Sequence, residues 1–350
     1  MSRPRLQTII FEVTQACNHA CLHCYNYWNH PNWHGARLDG LTTDVRPLLA
    51  HVLDQVECTH VTLTGGEPLL REDLPEIVSF LSERGVAVNV ISNGHRLTDS
   101  ITVDLIQRGV SLFELPLLSY RREVHDALSG SAGAFDAVLA AIADIRYHQG
   151  QVVTVFVATR RNIADLYDTL KLAFAFGVRG VMLNRFNPGG RGAGHIDNLL
   201  PTVDEMRHAL QVAESATQEF HLPISCSIPI QPCLIDTSEY PHLGFGFCAA
   251  GSDRAYYTLD TAGNVRPCNH TPTILGNVWH ESFGGIVAAA RLADFVAAVP
   301  DYCMPCARRD ECQGGCKASA QVYYGDLSAE EPFLRLNRAV KATREERRFK

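Results

Sequence analysis

Residues 9–24 read IIFEVTQACNHACLHC, and this stretch organises the interpretation of the whole chain. Ile9–Thr14 has the composition of a β-strand. Cys17, Cys21 and Cys24 follow it at C-x3-C-x2-C spacing. Three thiolates on one short loop can hold three irons of a [4Fe–4S] cluster and leave the fourth iron without a protein ligand. Because an open metal position is typical of a catalytic site, the stretch predicts a strand that leads into a reactive iron–sulfur loop.

Outward from this loop, short β-rich runs alternate with longer helical runs as far as Pro188, and glycines follow several of the helices as stop signals. Six β/α units predict an α/β fold with a parallel sheet and outer helices. Six units are too few for a closed eight-stranded barrel, so we expect a partial (β/α)6 TIM-like barrel. The predicted strands are Thr8–Thr14, His60–Thr64, Ala87–Ser92, Ser111–Leu117, Val152–Thr159 and Gly180–Asn187. The predicted helices are Asp44–Val56, Leu74–Arg84, Ser100–Arg108, Ala134–Gln149, Ile163–Phe176, Val203–Glu219 and Phe283–Val299.

The composition changes after the sixth strand and predicts three regions. Residues 1–225 form the barrel and residues 226–325 a small cysteine-rich domain folded around metal. Residues 326–350 form a basic C-terminal tail. The runs VVTVFVA and VAVNVIS are near-continuous apolar strands, which predicts sheet faces covered on both sides.

Overall composition narrows the class of protein. The 350 residues are 46% hydrophobic and 20% charged, with a net charge of −7, which argues against nucleic-acid binding by the chain as a whole. No signal peptide and no apolar run near 18 residues is present, so we expect a cytoplasmic protein without membrane contact. Twelve cysteines in a reducing compartment indicate metal binding rather than disulfides.

Further motifs follow the second and third strands, at the sheet edge where α/β folds gather their chemistry. They are Gly65-Gly66-Glu67-Pro68 and Ser92-Asn93-Gly94. A cysteine motif after strand one with GGEP after strand two resembles the radical S-adenosylmethionine (SAM) superfamily, over about residues 5–188. His23 stands where that family usually has an aromatic residue.

The resemblance implies a cofactor site. The amino and carboxylate groups of SAM would chelate the open iron. The glycines Gly65 and Gly66 would allow close backbone approach to the ligand, and Glu67 would offset the positive charge of SAM. Pro68, Ser92, Asn93 and Tyr25 complete the predicted cofactor-binding set. An electron from the cluster would cleave SAM to a 5′-deoxyadenosyl radical that takes hydrogen from the substrate. The alternative for the cysteine motif, a zinc site completed by a histidine, remains open.

A second cysteine set lies near the C-terminus. Cys248 is followed by fourteen residues, Gly263, four residues and Cys268, and later come four cysteines at C-x2-C-x5-C-x3-C spacing. This pattern resembles the SPASM extension of radical SAM enzymes, which carries one or two auxiliary [4Fe–4S] clusters. The resemblance assigns Cys248, Cys268 and Cys316 to the first auxiliary cluster. It assigns Cys303, Cys306 and Cys312 to the second.

The C-terminal set departs from the SPASM pattern at one point, because no cysteine follows Cys316. The second auxiliary cluster would then have an open iron, a non-cysteine ligand or a ligand from elsewhere. The first would lack a fourth ligand unless Cys226 or Cys233 reaches it, and buried inert thiols are the alternative for both. Zinc binding is an alternative for the whole set.

The stretch after the fourth strand also departs from its subfamily, because the usual serine contact to the SAM carboxylate cannot be transferred. Ser119 or Arg146 are candidates for it, while His125 and Asp126 cap the turns that follow. The aromatic loop 25–34 would border the SAM site, either packing over the cluster or contacting substrate.

These observations predict a radical SAM/SPASM enzyme that crosslinks or oxidises a side chain of a ribosomally made peptide. The expected partners are the peptide, an electron donor such as flavodoxin or ferredoxin, and a separate leader-binding protein. One alternative is a small-molecule enzyme of the same superfamily, acting on a tetrapyrrole side chain, a sugar or an aminocyclitol. A non-enzymatic iron–sulfur electron carrier is the alternative from another class, and GGEP argues against it.

Overall fold

One large twisted sheet forms the centre of the fold in a computed structural model of the chain, in which residues 3–338 are described. Its eleven strands in this range run in the spatial order β11-β10-β9-β1-β2-β3-β4-β5-β6-β7-β8. They are β1 (Arg5–Thr14), β2 (Glu57–Gly65), β3 (Ala87–Ile91), β4 (Val110–Pro116), β5 (Val152–Ala158), β6 (Gly180–Arg185), β7 (Ile224–Cys226), β8 (Leu243–Phe245), β9 (Tyr257–Asp260), β10 (Asn264–Arg266) and β11 (Gly276–Asn277).

The first six strands are neighbours in sequence order and all pair in parallel, as predicted. Two short parallel strands, β7 and β8, extend the sheet beyond β6. At the other edge β9 pairs in parallel with β1, and β10 and β11 follow in antiparallel order. The region after residue 225 therefore supplies strands to both edges of the six-stranded part.

Helices connect the strands as the alternation predicts, and the described range contains two departures. The helix expected over 283–299 is two helices, because Ala289 adopts an extended conformation between them. The second departure is a set of four helices without a counterpart in the prediction, over Arg122–Ser129, Ile196–Leu199, Arg309–Cys312 and Lys317–Tyr324. The helices are α1 (Arg46–Leu53), α2 (Leu74–Ser82), α3 (Asp99–Arg108), α4 (Arg122–Ser129), α5 (Ala134–Tyr147), α6 (Leu166–Ala175), α7 (Ile196–Leu199), α8 (Val203–Phe220), α9 (Phe283–Val287), α10 (Ala290–Ala297), α11 (Arg309–Cys312) and α12 (Lys317–Tyr324).

The two faces of strands β3–β6 differ in burial. One set of alternate residues, such as Val90, Phe113 and Leu183, is fully buried in the core that the helices cover. The other set is only partly buried, which departs from the predicted coverage of both faces. Its members are Asn89, Ile91, Leu112, Glu114, Val153, Val155, Val157, Met182 and Asn184. The register pairs Ile91 with Glu114 and Glu114 with Val153, so these residues share one face, which we call the open face.

The chain after β11 packs back on the rest of the protein. Residues 332–338 are helical, and Phe333 and Leu334 within them are buried. The predicted basic tail continues through residues 339–350, which lie outside the described residues. No single described helix has the length and apolar composition for a bilayer crossing, and only the bent pair α4–α5 passes that test jointly.

Candidate iron–sulfur and cofactor site

The cysteine loop directly follows β1 and brings its three sulfurs together. Cys17 interacts electrostatically with Cys24, and Cys21 interacts with both. Cys17 is exposed, whereas Cys21 and Cys24 are half-buried. The His19 amide donates to the Cys17 sulfur at 3.5 Å, and the Asn29 side chain donates to the Cys24 sulfur at 3.5 Å. Such donors stabilise charged sulfur, as cluster thiolates require.

Burial disfavours the thiolate form of two of these cysteines. Burial raises the pKa of Cys17 to about 11 and raises that of Cys21 further. A coordinating metal ionises a thiol regardless of such a shift. In residues 3–338 the His, Cys, Asp and Glu side chains form no group of three arranged around one metal ion. The donor set, three thiols on one loop, fits the three protein ligands of an open [4Fe–4S] cluster.

The two glycines of GGEP approach the cysteine loop itself. A Cβ on Gly65 would overlap the Thr14 carbonyl, and one on Gly66 would overlap the Ala16 carbonyl. The Gly66 amide donates to Thr14 at 2.8 Å, and the Glu67 amide donates to Ala16 at 2.8 Å. The close approach predicted toward the cofactor is thus a close approach to the backbone that leads into Cys17. Gly66 is half-exposed and its neighbours in GGEP are buried.

A second glycine contact comes from the turn after β6. Gly190 has a φ of +44°, and a Cβ there would overlap the Asn26 carbonyl and meet that of Cys24. The Gly192 amide donates to the Cys24 carbonyl at 3.0 Å, and Arg191 donates to the Cys21 carbonyl at 3.3 Å. The PGGRGAG run at residues 188–194 therefore contacts the backbone of the C-terminal half of the cysteine loop. Its glycine density next to a strand end was the available signal.

Glu67 is fully buried, and both oxygens of its carboxylate accept hydrogen bonds from other groups of the protein. One oxygen, Oε1, accepts from the Ser92 hydroxyl at 2.8 Å and from the Leu69 amide at 3.1 Å. The other, Oε2, accepts from the Asn93 amide at 2.7 Å. Burial raises the pKa of Glu67, and these donors oppose that shift. Glu67 thus ties the end of β2 to the end of β3, and its charge contact with SAM stays a prediction.

Ser92 and Asn93 form the other half of this connection. The Ser92 hydroxyl also accepts from the Gly94 amide at 3.0 Å. The Asn93 side chain donates to Asn18, inside the cysteine loop, at 2.8 Å. Pro68 is buried beside them. The structure therefore brings GGEP, the SNG turn and the cysteine loop together at one edge of the sheet, as the sequence predicts.

Tyr25 connects the cysteine loop to the C-terminal region. Its ring stacks on His270 with a 4.1 Å centroid separation, and its hydroxyl accepts from the Asn269 side chain at 2.9 Å. Burial raises the pKa of Tyr25 well above its ordinary value. Because Asn269 and His270 directly follow Cys268, this contact joins the loop of the first cysteine motif to that of the second.

A carboxyl group on the open face was missed by the sequence-based interpretation. Glu114 lies near the carboxyl end of β4, where its carbonyl accepts from the Ser92 amide at 3.1 Å. Burial raises the pKa of Glu114 to about 7. Within residues 3–338 no hydrogen bond or ion pair is recorded for its carboxyl oxygens. The signal in the sequence was a single charged residue inside the apolar strand run SLFELP.

The first C-terminal set, Cys248, Cys268 and Cys316, is brought together near Tyr25. Cys268 interacts electrostatically with both other sulfurs, and burial raises its pKa to about 12. The Asn187 side chain donates to the Cys316 sulfur at 3.3 Å. Three half-buried cysteines with an amide donor fit the ligands of an auxiliary cluster in the same way as the first motif does.

The second C-terminal set surrounds a cavity of about 350 Å³. Cys303, Cys306 and Cys312 line it, together with Cys233. Burial raises the pKa of Cys303 to about 11, and the nearby sulfurs of Cys312, Cys233 and Cys306 add to that shift. Cys226 lies elsewhere, buried in the hydrophobic core.

The two residues considered from sequence as contacts for the SAM carboxylate, Ser119 and Arg146, form hydrogen bonds within the protein. Ser119 is buried and donates to Asp165 at 2.7 Å. Arg146 donates to the Gly150 carbonyl at 2.8 Å, just before the start of β5 and so at the opposite end of the strands from the cysteine loop. Neither therefore faces the predicted SAM carboxylate. Asp126 caps α5 by accepting from the amides of Gly133 and Phe135, each at 2.8 Å.

In the aromatic loop 25–34, residues 26–28 are buried, whereas Pro31, Asn32 and His34 are exposed. Trp28 is buried, and Tyr27 forms edge contacts with Trp28 and Trp33, each with ring centroids 5.0 Å apart. Arg266 lies over the Tyr27 ring at 4.9 Å from its centroid. These contacts agree with the first of the two predicted roles of this loop, packing within the protein rather than contact with substrate.

Comparisons with known proteins place this geometry in context. A family model described as the radical SAM superfamily matches residues 11–173. Mycofactocin maturase MftC of Mycobacterium tuberculosis is 28% identical over 330 residues, covering 89% of this chain and 78% of the relative. AdoMet-dependent heme synthase of Methanosarcina barkeri is 27% identical over 346 residues, covering 94% of this chain and 96% of the relative.

Among solved structures, Streptococcus suis SuiB bound to its precursor peptide SuiA superimposes with a TM-score of 0.72. The alignment covers 96% of this chain and 76% of SuiB at 12% sequence identity. At this identity the likeness concerns the fold. With the parallel order β1–β6, it confirms the predicted TIM-like partial barrel.

Proposed function

Because this chain belongs to the radical SAM superfamily, we propose that Cys17, Cys21 and Cys24 ligate its catalytic [4Fe–4S] cluster and that SAM binds beside them. The observation that carries this proposal is the connected arrangement of the cysteine loop, GGEP and the SNG turn at one sheet edge. Glu67 joins the last two through its hydrogen bonds to Ser92 and Asn93. When bound, the cluster and SAM together supply a 5′-deoxyadenosyl radical that abstracts a hydrogen atom from substrate.

The residues of the chain have positioning tasks in this reaction. The Gly65–Gly66 backbone and the turn at Gly190 approach the cysteine loop from two sides, and they would hold its three cysteines in one arrangement around the cluster. Glu67 holds the Ser92–Asn93 backbone at the neighbouring strand end. Half-exposed Gly66 and Asn93 supply groups that can contact SAM. The buried part of the aromatic loop, which contains Trp28, excludes water from one side of the site.

We propose that the substrate lies on the open face and is a side chain of a peptide or protein. The open face extends over β3–β6 and is apolar apart from Asn89, Asn184 and Glu114, which suits an extended segment that buries apolar side chains. Two similar proteins support the class: one is named a maturase, and the solved SuiB structure contains a precursor peptide. Glu114 would then offer the substrate a hydrogen bond near the reacting end of the face.

The C-terminal cysteines have a proposed role of their own. Cys248, Cys268 and Cys316 would hold one auxiliary cluster, and Cys303, Cys306 and Cys312 a second. Tyr25 and His270 lie between the catalytic loop and the first of them. An auxiliary cluster there would accept an electron from the substrate radical. A flavodoxin or ferredoxin would reduce the catalytic cluster, and a leader-binding protein would deliver the peptide.

Anaerobic incubation of reconstituted protein with SAM and dithionite tests the chemistry. We expect 5′-deoxyadenosine from the wild type and none from Cys17→Ala. The two cysteines that remain in the variant are too few to bind the cluster that SAM needs. Peptides encoded beside the gene are then added, and their mass is measured. A wild type with intact clusters that makes no 5′-deoxyadenosine would contradict the proposal.

A second candidate substrate is a tetrapyrrole side chain. A similar protein supports it, because AdoMet-dependent heme synthase is 27% identical over 346 residues, covering 94% of this chain. Incubation with decarboxylatable tetrapyrroles in place of peptide distinguishes the two. A mass change in the tetrapyrrole together with unmodified peptides would replace the peptide proposal with this one.

A further inference from the structure

We propose that Cys233 is the fourth cysteine ligand of the cluster held by Cys303, Cys306 and Cys312. The inference rests on the proposed function only in so far as the C-terminal cysteines bind iron. It adds a ligand that lies upstream of the SPASM-like pattern, and it replaces the cysteine that this pattern lacks after Cys316.

The cavity geometry is the first support. Four sulfur-bearing residues line one cavity of about 350 Å³, and Cys233 approaches it from a different segment than the other three. At about 30 Å³ for each water molecule, this volume corresponds to roughly ten waters, so it has room for a polyatomic cluster rather than a single ion. Four cysteines around such a space form the ligand set of a closed [4Fe–4S] cluster.

The segment that carries Cys233 is fixed in place. Ile230 and Ile235 on either side of it are buried. The amides of Leu234 and Ile235 donate to the Gln231 carbonyl at 2.9 and 3.1 Å, which closes a turn around Cys233. The buried Gln231 side chain donates to Glu331. A Cβ on Gly315, three residues after Cys312, would overlap Gln231, so the two segments are in direct contact.

The charges agree with this ligand set. Cys233 interacts electrostatically with Cys303 and with Cys312, which places its sulfur among theirs. Arg308 and Arg309 also line the cavity. A [4Fe–4S] cluster with four thiolates carries one more negative charge than one with three, and these guanidinium groups offset it.

A consequence follows for the other auxiliary site. From the sequence, each auxiliary cluster lacked a fourth cysteine ligand, and an open iron was one of three possibilities for the second. With Cys233 assigned to the second cluster, the vacant position is left at the set formed by Cys248, Cys268 and Cys316. That set lies next to Tyr25 and His270, on the side of the C-terminal region that meets the catalytic loop.

Thiol protection tests the ligand directly. The variant Cys17→Ala/Cys21→Ala/Cys24→Ala is used so that only C-terminal clusters remain. It is treated with iodoacetamide before and after anaerobic reconstitution, and labelling is measured by mass spectrometry. Because Cys233 is exposed without a cluster, we expect its labelling to fall at least tenfold on reconstitution, whereas half-buried Cys58 serves as the unligated reference. Equal labelling of Cys233 in both states would overturn the proposal.

Cluster stoichiometry separates ligation from mere shielding. In the same background, Cys233→Ala is compared with Cys226→Ala, a cysteine in the hydrophobic core. We expect Cys233→Ala either to lose about four irons per chain or to give a second [3Fe–4S] electron paramagnetic resonance signal after mild oxidation. The Cys226→Ala variant should keep the parent spectrum. An unchanged iron content and spin count in Cys233→Ala would overturn the assignment. Neither readout involves SAM cleavage, so failure of the proposed function would be seen separately.

Discussion

At the scale of single residues, Glu67 shows how a motif residue predicted to lie near a cofactor connects two strand ends inside the protein. Its two oxygens receive three donors from two different strand ends, and no part of its side chain is exposed. A buried carboxylate with three donors is stable only while all of them are in place. This arrangement explains a glutamate at this position, because a shorter or apolar side chain would leave the Ser92–Asn93 turn unattached.

We predict that Glu67→Gln weakens SAM binding by roughly tenfold, equivalent to about 1.4 kcal/mol. The amide cannot accept from Leu69, Ser92 and Asn93 together, so one donor loses its partner and the turn shifts. Isothermal titration of SAM into the reconstituted protein measures the change. Exposed Glu72, five residues later, supplies the control Glu72→Gln, and an equal affinity in both variants would contradict the role given to Glu67.

Glu114 leads to a prediction about pH. Its pKa is raised to about 7 by burial, so between its ordinary value of 4.5 and about 7 the folded state holds a proton that the unfolded state has released. Stability therefore falls as the pH rises through this window. We expect Glu114→Gln, which stays neutral, to be more stable than the wild type at pH 8 and similar to it near pH 4.5.

Thermal unfolding of both proteins under anaerobic conditions, at several pH values, measures this difference. Glu12, which is paired with Arg266, is common to both proteins and cancels in the comparison. A stability difference that does not change with pH would show that the Glu114 carboxyl ionises normally.

The sequence predicted which residues meet at this site but not what each one does. Motif spacing placed the cysteine loop, GGEP and SNG at successive strand ends, and parallel strands bring such ends to one edge. The spacing of motifs carries no information about which groups donate hydrogen bonds to a buried carboxylate. Glu67 was therefore assigned to the cofactor, and Glu114 was passed over because an isolated acid in a strand matches no motif.

At the scale of elements, the cysteine loop is a segment without regular structure that is held by its neighbours. The end of β2 and the turn after β6 both approach its backbone at distances that exclude a Cβ. The end of α4 adds a hydrogen bond of 2.9 Å from Leu22 to Leu128. Three elements that are distant in sequence thus define one loop conformation.

We predict that Gly190→Ala reduces incorporation of the catalytic cluster, because its Cβ would meet the Asn26 and Cys24 carbonyls and its φ of +44° disfavours alanine. Gly194→Ala is the matched control, since its nearest neighbour would be the Pro31 side chain at an ordinary 3.5 Å. The measurement is the fraction of iron whose electron paramagnetic resonance spectrum responds to SAM. Full incorporation in Gly190→Ala would show that the turn does not constrain the loop.

The elements themselves were predicted well where the signal is local. Strands β1–β6 and most connecting helices follow from periodicity and glycine stops. The resemblance to the radical SAM superfamily rested on the cysteine and GGEP motifs, and the model of that superfamily matches residues 11–173. The pairing of β9 with β1 could not be predicted, because the paired residues Ile9 and Tyr257 lie far apart in sequence and β9 has four residues. Short strands with distant partners leave almost no local pattern.

At the scale of the whole molecule, the region after residue 225 is joined to both edges of the barrel by buried ion pairs. Glu12 on β1 pairs with Arg266 on β10, and both are buried. Arg185 on β6 pairs with Glu331 at 2.6 Å, and both are buried as well. The two C-terminal cysteine sets are therefore held at fixed positions relative to the loop that carries Cys17, Cys21 and Cys24.

We predict that Glu12→Gln destabilises the protein by about 3–5 kcal/mol, because it leaves the buried Arg266 charge without a partner. The double variant Glu12→Leu/Arg266→Met should regain most of that loss, since both charges are then removed. Glu57→Gln, in the exposed pair with Arg5, is the control and should have little effect. Urea unfolding under anaerobic conditions gives the midpoints, and equal midpoints for Glu12→Gln and Glu57→Gln would refute the prediction.

The pairing of β1 with β9 has a consequence for synthesis. A ribosome adds roughly 5–20 residues per second, so the partner of Ile9, Tyr257, emerges about 12–50 seconds after it. During that interval the outer edge of β1 offers unpaired backbone groups to any other chain. The nascent protein therefore passes through a period in which a chaperone that covers this edge would prevent misassociation, before the last third of the chain is made.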